Sequence, residues 1–322
     1  MPSPSLASTD PIELTPVDIS RYRAGNTGID YFTTIDSGTD GPHVMVTALV
    51  HGNELCGPIA LDWLFRRKVK PVRGKLSLGF VNVAAYASYK PSDPHASRYV
   101  DEDLNRVWDT ATLDDPARDS IEVRRARQIR PFLNTVDLLL DLHSMQRKAA
   151  PLMLSGPLAK GRQLAAQVGA PALVVSDSGH AAGRRMRDYG GFADPDSPRN
   201  ALLVECGQHW EKAAGDVAKD VTVRFLRATG CVDPGFGEDA LLPAQPQTFV
   251  EVTDAVTIRS DDGFAFTQTF MGGEIIEKGG TLIGHDGPDP VVTPYDDCML
   301  IMPTRRTFKG QTAVRLARLV AV

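Results

Sequence analysis

The sequence predicts an α/β protein: a layered domain with a mostly parallel central sheet, followed by a small all-β domain. Three observations support this. Strand-length apolar runs alternate with helical stretches as far as about residue 229. The runs His43–Val50 and Val136–Leu142 are apolar almost throughout, as expected of strands covered on both faces. Beyond Pro234–Pro246, a Pro/Gly-rich stretch, only short β-rich runs separated by turn signals remain.

The elements follow in order. Residues 1–30, rich in Ser, Pro, Thr and Asp, read as an arm with little regular structure. His43–Val50 is a strand that runs directly into His-Gly-Asn-Glu. A helix follows over Glu54–Lys68, with Ile59, Leu61, Leu64 and Phe65 on its apolar side and a basic end. Leu76–Val83 is a strand, and Ser120–Leu133 a helix with arginines towards solvent. Val136–Leu142 is a strand ending on His143. Leu158–Val168 is a helix, with Pro157 suited to its first turn. Ala172–Ser176 and Ala201–Cys206 are strands, and Trp210–Thr229 a closing helix. The later β runs are Phe249–Thr253, Ala255–Arg259, Phe264–Phe270 and Thr281–Ile283. The expected division is a catalytic domain over 1–240 and a β-domain over 241–322.

Composition narrows the function classes. Of 322 residues, 42% are hydrophobic and 23% charged, an ordinary soluble mix with enough apolar material for a sizeable core. The net charge of −5 argues against a nucleic-acid or anionic-membrane surface, which needs a basic excess. No apolar run approaches bilayer length, and Met1–Asp10 lacks the pattern of a secretory signal. Cys56, Cys206, Cys231 and Cys298 form no Cys-x-x-Cys pair, so a reducing compartment, the cytoplasm, is expected. A homo-oligomer, with a dimer as the base-rate choice, is expected on general grounds.

Three features fall at the ends of strands, where open α/β sheets place ligands. His51 and Glu54 of HGNE can converge on one ion if the chain turns sharply, which Gly52 permits. His143 of DLHS supplies a third ligand. Two histidines and a carboxylate, with a fourth position open, form a catalytic zinc set. Asp141 lies two residues before His143 and so points to the same side, where it can orient the imidazole. Glu205 ends the strand ALLVE and is the best-placed carboxylate for taking a proton from an activated water. Singly, each has a plain structural explanation: helix capping, a satisfied core histidine, an ion pair. Together, at the ends of apolar strands, they would bury charge at a cost of several kcal/mol without compensation, so a metal site is the better reading.

Between these lies RYVDEDLNR, residues 98–106. Arg98 and Arg106 suit a carboxylate and a polarised carbonyl; equally, they suit surface ion pairs with Asp101, Glu102 and Asp103.

HGNE followed by LCGPIAL, then RYVDEDLNR, DLHS and VECG in that order resembles the succinylglutamate desuccinylase/aspartoacylase family, a branch of the zinc carboxypeptidase-like superfamily. The resemblance covers residues 43–210 and extends loosely through the C-terminal region. It implies a carboxypeptidase-like α/β/α fold and one zinc per active site, held by His51, Glu54 and His143. Glu205 becomes the general base and acid. Arg98 polarises the scissile carbonyl, and Asn105 with Arg106 binds a carboxylate of a small-molecule substrate. A further arginine is expected before the Glu205 strand, for which Arg184, Arg185, Arg187 and Arg199 compete. Tyr295 is the candidate for a C-terminal tyrosine reaching the pocket. GGEIIEKGGTLIG resembles a barrel-sandwich carrier, but no lysine stands in the context of a modified tip, so the expected task of this region is to wall the pocket.

The implied activity is hydrolysis of a small N-acyl amino acid. The alternatives are a metallocarboxypeptidase acting on short peptides and a metal- or ligand-binding module without catalysis.

Overall fold

The computed structural model describes residues 10–179, 182–304 and 307–322. The first nine residues of the expected N-terminal arm, and with them most of the segment inspected for a signal, lie outside this range. From residue 10 the arm holds one short 3-10 turn, Ser20–Tyr22. It is nonetheless packed: Leu14 and Ile19 are buried in the core, and the amides of Glu13 and Leu14 donate to the Trp210 carbonyl.

Fourteen strands and six α-helices follow among the described residues. In chain order they are β1 (Phe32–Asp36), β2 (His43–Ala48), α1 (Cys56–Arg66), β3 (Lys75–Phe80), α2 (Val83–Ala87), α3 (Thr110–Asp114), α4 (Ile121–Leu133), β4 (Leu138–Met145), β5 (Leu152–Leu154), α5 (Ala159–Val168), β6 (Leu173–Ser176), β7 (Asn200–Gln208) and α6 (Lys212–Ala228). The C-terminal strands are β8 (Thr248–Thr257), β9 (Phe264–Phe266), β10 (Ile275–Ile276), β11 (Leu282–Asp286), β12 (Asp289–Val292), β13 (Cys298–Ile301) and β14 (Thr312–Leu319).

The central sheet runs β1-β3-β2-β4-β7-β5-β6-β8-β14-β13-β10. Its middle, β3-β2-β4-β7, is parallel. These strands are buried along nearly their whole length because both faces are covered. One face, with Val44, Val46, Leu140, Leu142, Leu202 and Val204, packs on α1, α5 and α6. The other face, with Met45, Leu139 and Ala201, meets α4 through Val123, Ala126, Ile129 and Leu133. That spacing of three or four residues is the apolar stripe of a helix. Ser120 caps α4 as the sequence suggested, its hydroxyl accepting from the Val123 amide at 3.0 Å.

The structure differs from the sequence reading in particular places. β1 was not anticipated; it pairs antiparallel with β3 at the sheet edge. β5, three residues long, inserts antiparallel beside β7. The two runs 249–253 and 255–259 are one strand, β8, and the run 264–270 is regular only to Phe266. Residues 241–322 are all-β as expected, but part of them continues the central sheet: β8 pairs parallel with β6 and antiparallel with β14. A separate three-stranded antiparallel sheet, β12-β11-β9, completes this region. Sheet continuation depends on edge hydrogen bonding between distant segments, which no local pattern records. No helix of the described residues is long and apolar enough to cross a membrane.

Candidate active site

The site forms where β2, β4 and β7 end. After β2 the chain turns abruptly, with Leu49 at φ 64°. Gly52 is needed for a different reason from the one the sequence suggested. A Cβ there would lie 2.4 Å from the backbone of Ala85 and Tyr86, so only glycine permits this close approach. His51 and Glu54 thereby face the end of β4. On the neighbouring strands His143 and Glu205 are in register. Gly207, at φ 122°, then breaks that register, so β7 bends away just past the site.

His51, Glu54 and His143 converge, with ligand atoms all within 4.8 Å of one another, and all three are buried. His51 Nδ1 lies 2.7 Å from Glu54 Oε1, and His143 Nδ1 lies 3.0 Å from Glu54 Oε2. The far nitrogens are each held by an aspartate: His143 Nε2 by Asp141 at 2.8 Å, and His51 Nε2 by Asp103 at 2.9 Å. An imidazole that donates Nε2–H to a carboxylate presents a lone pair at Nδ1. In the neutral rings both lone pairs face the Glu54 carboxylate, acceptor against acceptor, and either a proton on each ring or a cation between them relieves the opposition. The donor set therefore fits a divalent metal ion. Thr47 donates to the other Asp141 oxygen at 2.7 Å and fixes that carboxylate in turn.

Without an ion, charge on the rings offsets the Glu54 carboxylate. Burial works against the Glu54 carboxylate, but the charges of His51 and His143 outweigh it and hold its pKa well below the ordinary value. Burial likewise opposes charge on His143, and Asp141 and Glu54 outweigh it in the other direction. Glu205 behaves oppositely to Glu54: burial, and then the charge of Glu54, pushes its pKa up to about 8. Its Oε2 has no hydrogen-bond partner among the described residues.

The segment 98–106 joins the same cavity. Arg98 Nη2 donates to Asp103 Oδ2 at 2.9 Å, and its Nη1 is 3.8 Å from Glu54. Asp103, read from sequence only as an ion-pair partner, both clamps Arg98 and orients His51. Glu102 instead pairs outward with Arg118. The loop is pinned by Glu122 of α4, whose buried carboxylate accepts from the amides of Val100, Asp101 and Glu102 and from Asn82. Asn105 accepts from the Met186 amide through Oδ1 at 2.9 Å and lines the cavity beside Arg106.

Of the four competing arginines, Arg185 lines the cavity, clamped by Asp177 at 2.6 and 3.0 Å and by Asp188. Arg187 is buried against the carbonyls of Ser155 and Ala201, Arg199 binds those of Val136 and Leu133, and Arg184 is exposed. Tyr295 is not brought to the site: its hydroxyl bonds Thr253 Oγ1 at 2.5 Å, and it is not among the cavity's lining residues. The C-terminal region contributes Met271, Met302, Pro303, Thr312 and Arg315 instead. His209 was also missed. It lines the cavity with Nδ1 2.8 Å from Ser144 Oγ, and burial pushes its pKa down to about 3, so it is a neutral imidazole. The cavity these residues enclose is about 220 Å³.

The model of the succinylglutamate desuccinylase/aspartoacylase catalytic domain matches residues 40–224, more than half of the chain and the stretch that carries all of these motifs. The chain belongs to this family. The N-acyl-aromatic-L-amino acid amidohydrolase (carboxylate-forming) of Rattus norvegicus is 30% identical over 125 residues, 35% of this chain and 36% of that protein. Its Mus musculus counterpart is 31% identical over the same length. The chain thus matches about a third of the length of these curated relatives. Among family structures, succinylglutamate desuccinylase from Vibrio cholerae superposes with a TM-score of 0.66 at 19% identity, covering 90% of this chain and 86% of that one. A succinylglutamate desuccinylase/aspartoacylase from Rhodobacter sphaeroides gives 0.64 at 18% identity, covering 90% and 89%. At these identities the likeness speaks for the fold.

Proposed function

We propose that the protein is a zinc-dependent amidohydrolase that cleaves the amide bond of small N-acyl amino acids. One observation carries this reading: a two-histidine, one-carboxylate set, each histidine backed by an aspartate, with a Glu205 carboxyl oxygen left unpartnered among the described residues in the same cavity. Nitrogen and carboxylate ligands suit zinc, which supplies Lewis acidity by acidifying water and polarising a carbonyl.

The protein's own groups account for the rest. Glu205 Oε2, free of other hydrogen bonds, takes the proton of the attacking water and returns it to the leaving amide nitrogen. Arg98, held by Asp103, faces the oxygen on which negative charge develops. The Asn105 side-chain amide nitrogen and the Arg106 guanidinium bind the substrate carboxylate; among the described residues, the Arg106 guanidinium donates a hydrogen bond only to the Asn105 carbonyl, at 2.7 Å. Residues 241–322 wall the pocket, which supports a division of labour near residue 240. Family membership and the curated N-acyl amino acid amidohydrolases support the same chemistry.

The test is a panel of N-acetyl, N-formyl and N-succinyl amino acids set against short peptides, on zinc-loaded protein and after chelation. Hydrolysis of N-acyl amino acids that chelation abolishes and zinc restores is expected. Cleavage of peptides alone would favour the carboxypeptidase alternative, and no amide cleavage the non-catalytic one.

A further inference from the structure

Glu205 and Arg98 do not exhaust the polar groups on the metal side of the cavity. Just past the bend at Gly207, the His209 amide donates to the Met145 carbonyl at 2.8 Å, which holds the residue against the end of β4. Its side chain is fully buried, packed beside Trp210 with ring centroids 5.6 Å apart, and lines the cavity together with Ser144. Nδ1 lies 2.8 Å from Ser144 Oγ, and Nε2 has no hydrogen-bond partner among the described residues. The ring is neutral and carries one proton, because burial pushes its pKa down to about 3. That proton can stand in two places. With Nδ1–H donating to Ser144, the hydroxyl hydrogen and the Nε2 lone pair both go unmet among the described residues. With the hydroxyl donating to Nδ1, only Nε2–H remains. The second arrangement meets more groups and fixes a buried N–H donor. Such a donor is costly until an oxygen from outside accepts from it. The charges that bear on the ring are those of Glu54, Arg98, His51 and His95, so it stands on the Arg98 side of the cavity.

We propose that His209 is a further catalytic residue, whose Nε2–H donates to the acyl carbonyl oxygen of the substrate and shares with Arg98 the negative charge that develops there. This rests on the amidohydrolase reading and deepens it. Arg98 Nη2 is already engaged by Asp103, so a second donor adds where the first is divided. The hydrogen bond strengthens as the oxygen gains charge, so it favours the transition state over the bound substrate. The proton stays on Nε2 throughout, and Glu205 remains the group that moves one. Ser144 positions the ring: its hydroxyl, donating to Nδ1, keeps the proton on the other nitrogen.

The experiment compares wild type, His209→Asn and His209→Gln as zinc-loaded full chains on the N-acyl amino acid that wild type turns over fastest. Asparagine can still accept from Ser144 but has no donor at the Nε2 position; glutamine can place its amide N–H there. His209→Asn should lower kcat by about 100-fold while KM changes by less than about threefold. His209→Gln should recover about tenfold of that loss or more. Calorimetry with phosphinate analogues of the N-acetyl amino acids, which set a tetrahedral anionic centre in place of the amide carbon, gives an independent readout. Their affinity should fall with kcat in His209→Asn and return in His209→Gln. If His209→Asn does not fold, His209→Gln against His209→Phe makes the same comparison. Wild-type kcat in His209→Asn, a loss confined to KM, or equal losses in both variants each overturn the proposal and leave the amidohydrolase reading intact. If wild type hydrolyses no N-acyl amino acid, that reading fails, and the phosphinate affinities alone decide: equal or absent binding in wild type and His209→Asn overturns the donor role.

Discussion

Asp103 and His51, 52 residues apart, meet at 2.9 Å between Oδ1 and Nε2, and the second Asp103 oxygen lies 2.9 Å from Arg98. One carboxylate thus sets the ring orientation of a proposed ligand and the position of a proposed oxyanion partner. Asp103→Asn removes the charge and turns one of the two oxygens shared between His51 and Arg98 into a donor, so one of the two partners loses its acceptor. The expected result is a loss of about 10–100-fold in zinc affinity, read by competition with a chromogenic chelator. An unchanged affinity would show that Asp103 does not orient His51.

His143→Ala removes one of the three proposed ligands and should yield protein with substoichiometric zinc by elemental analysis, whereas wild type should bind one per chain. Unchanged zinc content would exclude His143 from the site.

Glu205→Gln keeps the shape of the side chain but cannot accept the water's proton. Zinc content should stay at the wild-type level while kcat falls by at least about 100-fold. Retention of full turnover would remove Glu205 from the role of base.

Glu122 does not line the cavity, yet its buried carboxylate fixes the loop that carries Arg98, Asn105 and Arg106. Glu122→Ala strands three backbone amides and the Asn82 side chain. It should cost about 2–4 kcal/mol in urea unfolding and raise KM for a carboxylate-bearing substrate. A KM equal to that of wild type would separate the loop from binding.

His43, at the start of β2, has Nδ1 3.0 Å from the Thr135 carbonyl and Nε2 2.7 Å from Ser77 Oγ. Burial holds its pKa below the ordinary value, so the folded protein prefers the neutral ring. The unfolded chain takes up the proton first, near pH ~6.5. Stability present above that pH is therefore lost as the pH falls towards the lower folded pKa. Urea midpoints between pH 7.5 and 5.5 should fall less steeply for His43→Gln than for wild type. Parallel curves would assign the acid sensitivity to other groups.

Much of this was legible in the chain itself. β2, β4 and β7 are covered on both faces, so their apolar runs marked them. The proposed ligands and Glu205 follow those runs directly, and their positions come from strand ends that local pattern reveals. Asp141 could be placed too, because a strand puts residues two apart on one side. What the tertiary structure decided is everything that depends on approach from afar. Asp103 reaches His51 across a loop, and Glu122 pins that loop from a helix read as merely arginine-rich. Arg185 is selected over three neighbouring arginines because only its side chain turns to the cavity. Tyr295 stays outside the cavity, and the C-terminal lining comes instead from residues such as Thr312 and Arg315, which β14 carries in the extended central sheet. Side-chain periodicity is a short-range property and names what lies at a strand end. Which distant charge comes to face it is set by sheet order and loop packing, and these exist only once the chain has folded.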